Sequence, residues 1–447
     1  MISVLKFGGS SLTVDGIHNI KNIVTKKIMN GYKVIIVLSA IQKTTNLLLK
    51  TAIDGDDQLD SIKELHTNLL AQLELDKHLL NEDFDQIYEL TRQLNSNPLD
   101  PEHWSKKIQI IGSGECLSSK LMHAFLNKHL GKTILLNALR FVSNENNSSK
   151  IDRHTLMIPG RFDSDGVIIK NLIKDYSIAV TQGFIGKTQD DRMCIMGRSG
   201  SDATASLIGS SIGAPVEIWT DVAGIYTGDP RIIHTAKVIK QVSYEICQEI
   251  STMGSHVIHP LAIEPCREKG IPIMIKNTKE PDLHGTIITS HISPTSHSAF
   301  AVSVQRKITI FEVRTIDMWN QFGFAAKLFG YFGKYEIDVN IITTSNDSIS
   351  VTTEEKNIKK MLKLENNLKK EFSSVKRYSN YDLVTVISKN IFVSDEALNK
   401  NLLTVCNKFR NYIVFLHKST NCLSVTYAIE PNQGCKFANE MHDAVIL

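Results

Sequence analysis

The chain has 447 residues, enough for about three domains at roughly 150 residues each and for a core that needs no staples. Hydrophobic residues make up 42% and charged residues 22%, a balance that excludes a largely disordered chain. The formal net charge of +3 is spread without a basic block, so neither nucleic acid nor a membrane surface is an expected partner. No apolar run is long enough to cross a bilayer, and the opening MISVLKFGGSS lacks a basic flank and a cleavage site, so a cytoplasmic location is expected. The 7 cysteines are odd in number and form no CxxC pair, which reads as reduced thiols rather than a disulfide framework or a zinc site.

The first two-thirds alternate short β-branched runs with amphipathic stretches. Strands are expected at Ile2–Phe7, Lys33–Ser39, Thr133–Asn137, Ile178–Gln182, Pro215–Thr220 and Ile273–Lys276, with helices such as Gly16–Met29 and Lys107–Asn127. That rhythm predicts an α/β domain with a mainly parallel sheet. Residues 54–105 are polar with helical spacing (Leu65, Leu69, Leu73) and read as a helical insertion, a lid or a dimer contact. The segment His291–His297 reads as a linker. Beyond it lie two similar units. The first runs strand Ile308–Arg314, helix Phe322–Tyr335, strands Val339–Thr344 and Ser348–Thr352, helix Ile358–Phe372. The second runs strand Leu383–Ser388, helix Asp395–Phe409, strands Tyr412–His417 and Cys422–Ile429, helix Gln433–His442. Each fits a ferredoxin-like α+β plan, but the second unit lacks an evident closing strand.

Four segments could carry chemistry. Lys6–Ser11 (KFGGSS) leaves the first strand for a helix, offering two glycines, free N–H groups and a lysine. Alone, such a turn is more often a tight connection than a phosphate site. Met196–Asp202 (MGRSGSD) is a second Gly/Ser turn before a small-residue helix, and Arg198 suits a carboxylate. The competing reading is a surface turn capped by Ser201 or Asp202. Trp219–Arg231 (WTDVAGIYTGDPR) follows another strand, where ligands bind in open α/β sheets, and Tyr226 could flank a purine or be a core tyrosine. Ser113-Gly114-Glu115 starts or interrupts a helix; Glu115 could receive an ammonium or merely complement the macrodipole.

Taken in order, with Leu38-Ser39-Ala40, Thr45-Asn46, Gln182–Gly186 and Gly254–Pro260, these segments resemble the aspartate kinases (aspartokinases) of the amino-acid kinase family, over almost the whole chain. The resemblance implies an amino-acid kinase fold, a three-layer α/β/α sandwich with a mainly parallel sheet, over residues 1–292. It implies two ferredoxin-like ACT domains at 305–378 and 380–447. It implies ATP- and Mg²⁺-dependent phosphorylation of the L-aspartate β-carboxylate, the first step toward lysine, threonine, methionine and diaminopimelate. It also implies a monofunctional kinase, an amino-acid effector at the ACT domains, and a homodimer through them.

Roles follow by resemblance. Lys6 and Asp202 are the catalytic pair, and Phe7, Gly8 and Gly9 join Lys6 at the phosphates. Thr220, Asp221, Tyr226, Asp229, Arg231, His256 and Val257 complete the nucleotide site. Ser39, Thr45, Glu115, Phe184, Arg198, Ser199, Gly200 and Ser201 line the aspartate pocket, Glu115 facing the ammonium and Arg198 the α-carboxylate. Met318, Phe324, Ala325, Val339, Asn340, Ser345 and Asn346 form the effector site, and no protein metal site is expected. An aspartate carboxylate is already ionised at pH 7, so positioning and charge neutralisation suffice.

Three departures stand out. His256 stands where the family has a phosphate-contacting lysine. GRSGSD replaces GRGGSD, so Ser199 is harmless only at negative φ. Asn340 and Asn346 replace effector-site carboxylates, which implies altered lysine feedback. Two other readings stay open: a weakened paralogue acting as an amino-acid-binding regulatory protein, and a kinase of an aspartate analogue.

Overall fold

The computed structural model describes residues 1–97, 100–144, 162–197, 199–254, 257–290, 299–314, 322–389, 396–418, 420 and 423–446. They fall into two units. The first comprises Met1–Ile225, Val238–Gln248 and His256–Ser293; the second comprises Tyr226–Lys237, Glu249–Ser255 and Pro294–Leu447.

In the first unit the β-branched runs become the middle of an eight-stranded sheet. Its order is Gln241–Ser243, Thr286–Thr289, Ile273–Asn277, Val216–Thr220, Ile2–Phe7, Lys33–Leu38, Ile178–Gln182, Thr133–Leu135. Every pairing is parallel except Ile273–Asn277 with Thr286–Thr289. A parallel sheet is covered on both faces, and the central strands are accordingly apolar almost throughout. Helix Val14–Met29 packs on His103–Leu130, and Gly200–Ile212 on Pro260–Lys269, each pair reaching the sheet. Leu59–Gln72 and Asn81–Ser96 are the helices of the polar stretch, the latter packed on His103–Leu130. A small sheet of Phe162–Ser164, Val142–Asn144, Ile185–Lys187 and Met193–Ile195 completes the unit.

One expectation is corrected here. Ser113-Gly114-Glu115 neither starts nor interrupts a helix; it lies inside the 28-residue helix His103–Leu130. Gly114 is there because a Cβ would come within 2.8 Å of the Ala40 Cβ, and Gly112 because one would meet Ile185 and Met193 at 2.9 Å. The macrodipole reading of Glu115 therefore falls, since that effect is confined to the first turn.

The second unit holds a six-stranded antiparallel sheet. Its order is Ile342–Thr344, Ser348–Thr353, Ala299–Arg314, Ser374–Ser388, Ser424–Ile429, Ile413–Lys418. The expected strands Ile308–Arg314 and Leu383–Ser388 are halves of two long strands that serve both units of the pair. The front of one, 299–305, pairs with 383–388 and supplies the closing strand that the sequence left unplaced. The register shifts between Gln305 and Ile308, where Lys307 adopts φ 61° and its N–H donates to Asp382 Oδ1 (3.3 Å). Such a bulge bends and twists the strand as it passes from one half to the other. Each half has its own core: Phe311, Leu328, Phe332, Val351, Leu364 and Leu368 in one, Val384, Leu402, Val425, Tyr427, Phe437 and Met441 in the other.

No helix among the described residues is long and apolar enough to cross a membrane. The linker His291–His297 lies outside the described residues.

Candidate active site

Register gathers the strand ends. Phe7 is level with Leu38 and Trp219, Leu38 with Gln182, and Thr220 with Asn277. The chain runs outward from Ile2–Phe7 in both directions, to Lys33–Leu38 on one side and Val216–Thr220 on the other. The carboxyl ends at such a switch point form the ligand crevice of open α/β sheets. The loops after Phe7, Leu38, Gln182 and Trp219 are tied to each other: Ser39 N donates to the Phe7 carbonyl (3.2 Å), Gly183 N to Leu38 (2.8 Å) and Gly8 N to Trp219 (3.4 Å).

Lys6 is the penultimate residue of the first strand, with its side chain 12% exposed, and its Nζ lies 2.6 Å from Asp202 Oδ1. Asp202 occupies the first turn of helix Gly200–Ile212, where the dipole also favours an anion. Gly9 is required by packing: a Cβ there would come within 2.4 Å of the Ala40 carbonyl oxygen, and Gln42 N donates to Gly9 O (3.1 Å). Gly8 has an ordinary extended φ of −74°. Phe7 stacks on Trp219 with centroids 6.0 Å apart, and Lys276 Nζ lies 5.0 Å from the Trp219 ring centre.

Glu115 is 3% exposed. Its Oε1 accepts from Ala40 N (3.1 Å), while Oε2 has no partner among the described residues. Burial, partly offset by the Ala40 hydrogen bond, pushes this carboxyl up to about 8. Beside it, Thr44 is fully buried and its hydroxyl is also unpartnered among the described residues, whereas the expected Thr45 is half-buried. Thr44 was not singled out from sequence, and Ala40 only as part of Leu38-Ser39-Ala40; the available signal was the four-residue spacing of Thr44 and Leu48, one face of a helix.

The Gln182–Phe184 turn meets the Ser199–Asp202 turn. A Cβ on Gly183 would lie 2.6 Å from Ser201 Cβ, and one on Gly200 would lie 2.8 Å from Phe184 Cδ2. Phe184 has φ 68°, and its N–H is accepted by Thr204 Oγ1 (3.1 Å), another residue missed from sequence. Ser199 is exposed with φ 52°, so the condition of a negative φ is not met and the residue sits in the region that favours glycine. Ser201 is buried.

Thr220 donates to Asp221 Oδ1 (3.1 Å), and Val257 is half-buried, both in the first unit. Tyr226, Asp229 and Arg231 belong to the second unit, where Arg231 grips Asp229 at 2.7 Å and holds its carboxyl below the usual range. Tyr226 is half-buried, so the core-tyrosine reading does not describe it. Arg198, His256 and Met318 lie outside the described residues.

Also in the second unit, Phe324 packs on Phe372 (5.1 Å), Ala325 is exposed and Val339 is half-buried. Asn340 Nδ2 donates to Glu354 Oε1 (3.2 Å), and Ser345 Oγ donates to Asp347 Oδ1 (2.7 Å) next to the exposed Asn346. Sequence reading did not single out Glu354, which lies 14 residues from Asn340, nor Asp347, which is a local turn partner two residues after Ser345.

The first unit thus carries a lysine near the end of its first strand paired to a helix-start aspartate, and a buried carboxyl tied to the loop after the next strand. The family model described as "Amino acid kinase family" matches residues 1–277, and the chain belongs to that family. It is 28% identical over 368 residues to aspartokinase 2, chloroplastic, of Arabidopsis thaliana, a match covering 78% of this chain and 65% of that one. For aspartokinase 3, chloroplastic, of the same plant the figures are 29%, 78% and 64%. The match thus spans just under two-thirds of those relatives' length. The lysine-sensitive aspartokinase 3 of Escherichia coli is 29% identical over 366 residues, 78% of each chain. Among solved structures, E. coli aspartokinase III in complex with lysine and aspartate superposes over the full length of both chains with a TM-score of 0.80 at 24% identity. That likeness is one of fold: the amino-acid kinase fold followed by ACT-type units.

Proposed function

We propose that this protein is an aspartate kinase, transferring the ATP γ-phosphoryl group to the β-carboxylate of L-aspartate to give 4-phospho-L-aspartate. The observation that carries the reading is Glu115, a buried carboxyl with one oxygen unpartnered among the described residues and the other bound to Ala40, in the loop after the strand that pairs with the one carrying Lys6. A buried, half-satisfied acid is costly unless a cation completes it, and an α-ammonium does so. Arg198 would hold the α-carboxylate, leaving the β-carboxylate directed at the phosphates. Ser39, Thr45, Phe184 and Ser201 would line this pocket.

Lys6 would lend its charge to the transferring group, with Asp202 fixing where Nζ sits. Gly8 and Gly9 would present amides to the phosphates, and Thr220, Asp221 and the segment holding Tyr226, Asp229 and Arg231 would meet the nucleotide. Mg²⁺ would be held chiefly by phosphate and water, since this ion dehydrates reluctantly and usually keeps several of its waters. When bound it neutralises phosphate charge. We further place the enzyme in the cytoplasm as a dimer through its ACT-type units.

Lysine feedback is proposed to be altered. Asn340 and Asn346 lack the charge to pair with an effector ammonium, and the neighbouring Glu354 is already engaged by Asn340 and by Gln305 Nε2 (2.6 Å). Trapping acyl phosphate with hydroxylamine, with each of several amino acids as acceptor, tests the activity. Product dependent on aspartate supports it; product only with another acceptor moves the proposal to an aspartate analogue.

A further inference from the structure

The segment Tyr226–Lys237 carries Tyr226, Asp229 and Arg231, yet its anchorage is inside the second unit. Val302 N donates to the Thr227 carbonyl (2.8 Å). Ile233 is fully buried in the core that Phe437 and Met441 of the C-terminal helix Gly434–Val445 help to form. The same helix holds the segment with three polar residues. Asn439 Nδ2 donates to the Ile232 carbonyl (2.8 Å), Asp443 Oδ1 accepts from Thr235 Oγ1 (2.8 Å), and His442 touches two threonines at once.

His442 has no exposed surface. Its Nε2 lies 2.8 Å from Thr227 Oγ1 and its Nδ1 3.1 Å from Thr235 Oγ1. Proton counting fixes the tautomer. Thr235 gives its one hydroxyl proton to Asp443, so it accepts from His442 Nδ1–H. Nε2 is then bare and accepts the Thr227 hydroxyl proton, while Thr227 Oγ1 accepts from Lys237 N (2.9 Å). Every group is satisfied with a neutral ring. Burial pulls the His442 pKa down, which agrees; Lys237 and Asp443 are the charged groups that act on it.

One ring thus bridges the two feet of a loop whose crown carries Asp229 and Arg231. We propose that His442 is a positioning residue for nucleotide binding: it sets the shape of the loop Thr227–Thr235 from the C-terminal helix, and makes ATP affinity depend on that helix. The inference rests on the reading of this loop as part of the ATP site.

The test is steady-state kinetics together with calorimetric ATP binding in the absence of aspartate, on the full chain. His442→Ala, Thr227→Val and Thr235→Val are compared with His442→Gln, whose amide can keep the Thr227 bond. The expected result is about a tenfold rise in the KM and Kd for ATP in the first three, with the aspartate KM within about twofold and partial recovery in His442→Gln. The two threonine variants keep side-chain volume, so they report even if His442→Ala folds poorly. Unchanged ATP Kd in folded Thr227→Val and Thr235→Val overturns the proposal, as does an equal rise in both KM values. A wild type that binds ATP but does not turn over aspartate refutes the aspartate reading alone. One that binds no ATP refutes both.

Discussion

Glu115 concentrates the residue-scale argument. Its pKa near 8 means that most of the empty protein carries a neutral carboxyl at pH 7. An ammonium needs the carboxylate, so on the proposed reading aspartate binding would expel a proton and affinity would rise as pH climbs toward 8. The aspartate KM is expected to fall by up to about tenfold per pH unit from 6 to 8 and then level off. Glu115→Gln keeps an acceptor for the Ala40 amide but loses the charge. Its KM should rise more than tenfold, on the order of 1.5–3 kcal/mol, and lose that pH dependence. Parallel pH profiles for the two proteins would remove Glu115 from the pocket. Ser199 is a second residue with a definite cost. At φ 52° an L side chain loses roughly 1–2 kcal/mol, and glycine's greater unfolded-state freedom returns only part of that to Ser199. Ser199→Gly should therefore raise stability by up to about 1 kcal/mol, seen as a higher urea midpoint at unchanged m. A lower midpoint would mean that the serine makes a stabilising contact.

At the scale of elements, the site is a set of strand ends closed by glycines that tolerate no side chain. Gly183→Ala would push Cβ to 2.8 Å from Ser201 Cα, against backbone that cannot swing aside. The first turn of Gly200–Ile212 should shift, taking Asp202 off Lys6, with about 1–3 kcal/mol lost and kcat/KM down more than tenfold. Unaltered kcat/KM would show that the turn absorbs the methyl group elsewhere. What could be read in advance follows from what sets each element. Strands such as Lys33–Leu38 announce themselves because a buried parallel strand must be a β-branched run. The place of Glu115 inside a helix did not, although the residue itself was singled out, because His103–Leu130 is buried on several sides and its small residues mimic a helix boundary. The long strands Ala299–Arg314 and Ser374–Ser388 were legible only in part, since each half answers to a different partner and the joint is a bulge at Lys307. The positive φ of Ser199 is likewise a product of the turn it closes against Phe184, not of its own preference.

Across the whole molecule, a chain of alternating strand and helix builds a mainly parallel eight-stranded sheet, and a separate antiparallel sheet weaves two similar halves together through shared strands. Regulation belongs to this scale. If Asn340 and Asn346 do remove effector charge, millimolar lysine leaves activity within about twofold of its uninhibited value; strong inhibition below 1 mM refutes the altered feedback. Asn340→Asp and Asn346→Glu together should increase sensitivity. The central claim, phosphoryl transfer to aspartate, is tested most directly by hydroxylamine trapping of acyl phosphate from ATP, Mg²⁺ and L-aspartate, in the wild type and in Lys6→Ala. The account predicts trapped product that requires aspartate and falls at least a hundredfold when Lys6 is removed. No product between pH 6 and 9 from protein that binds ATP and aspartate would contradict it.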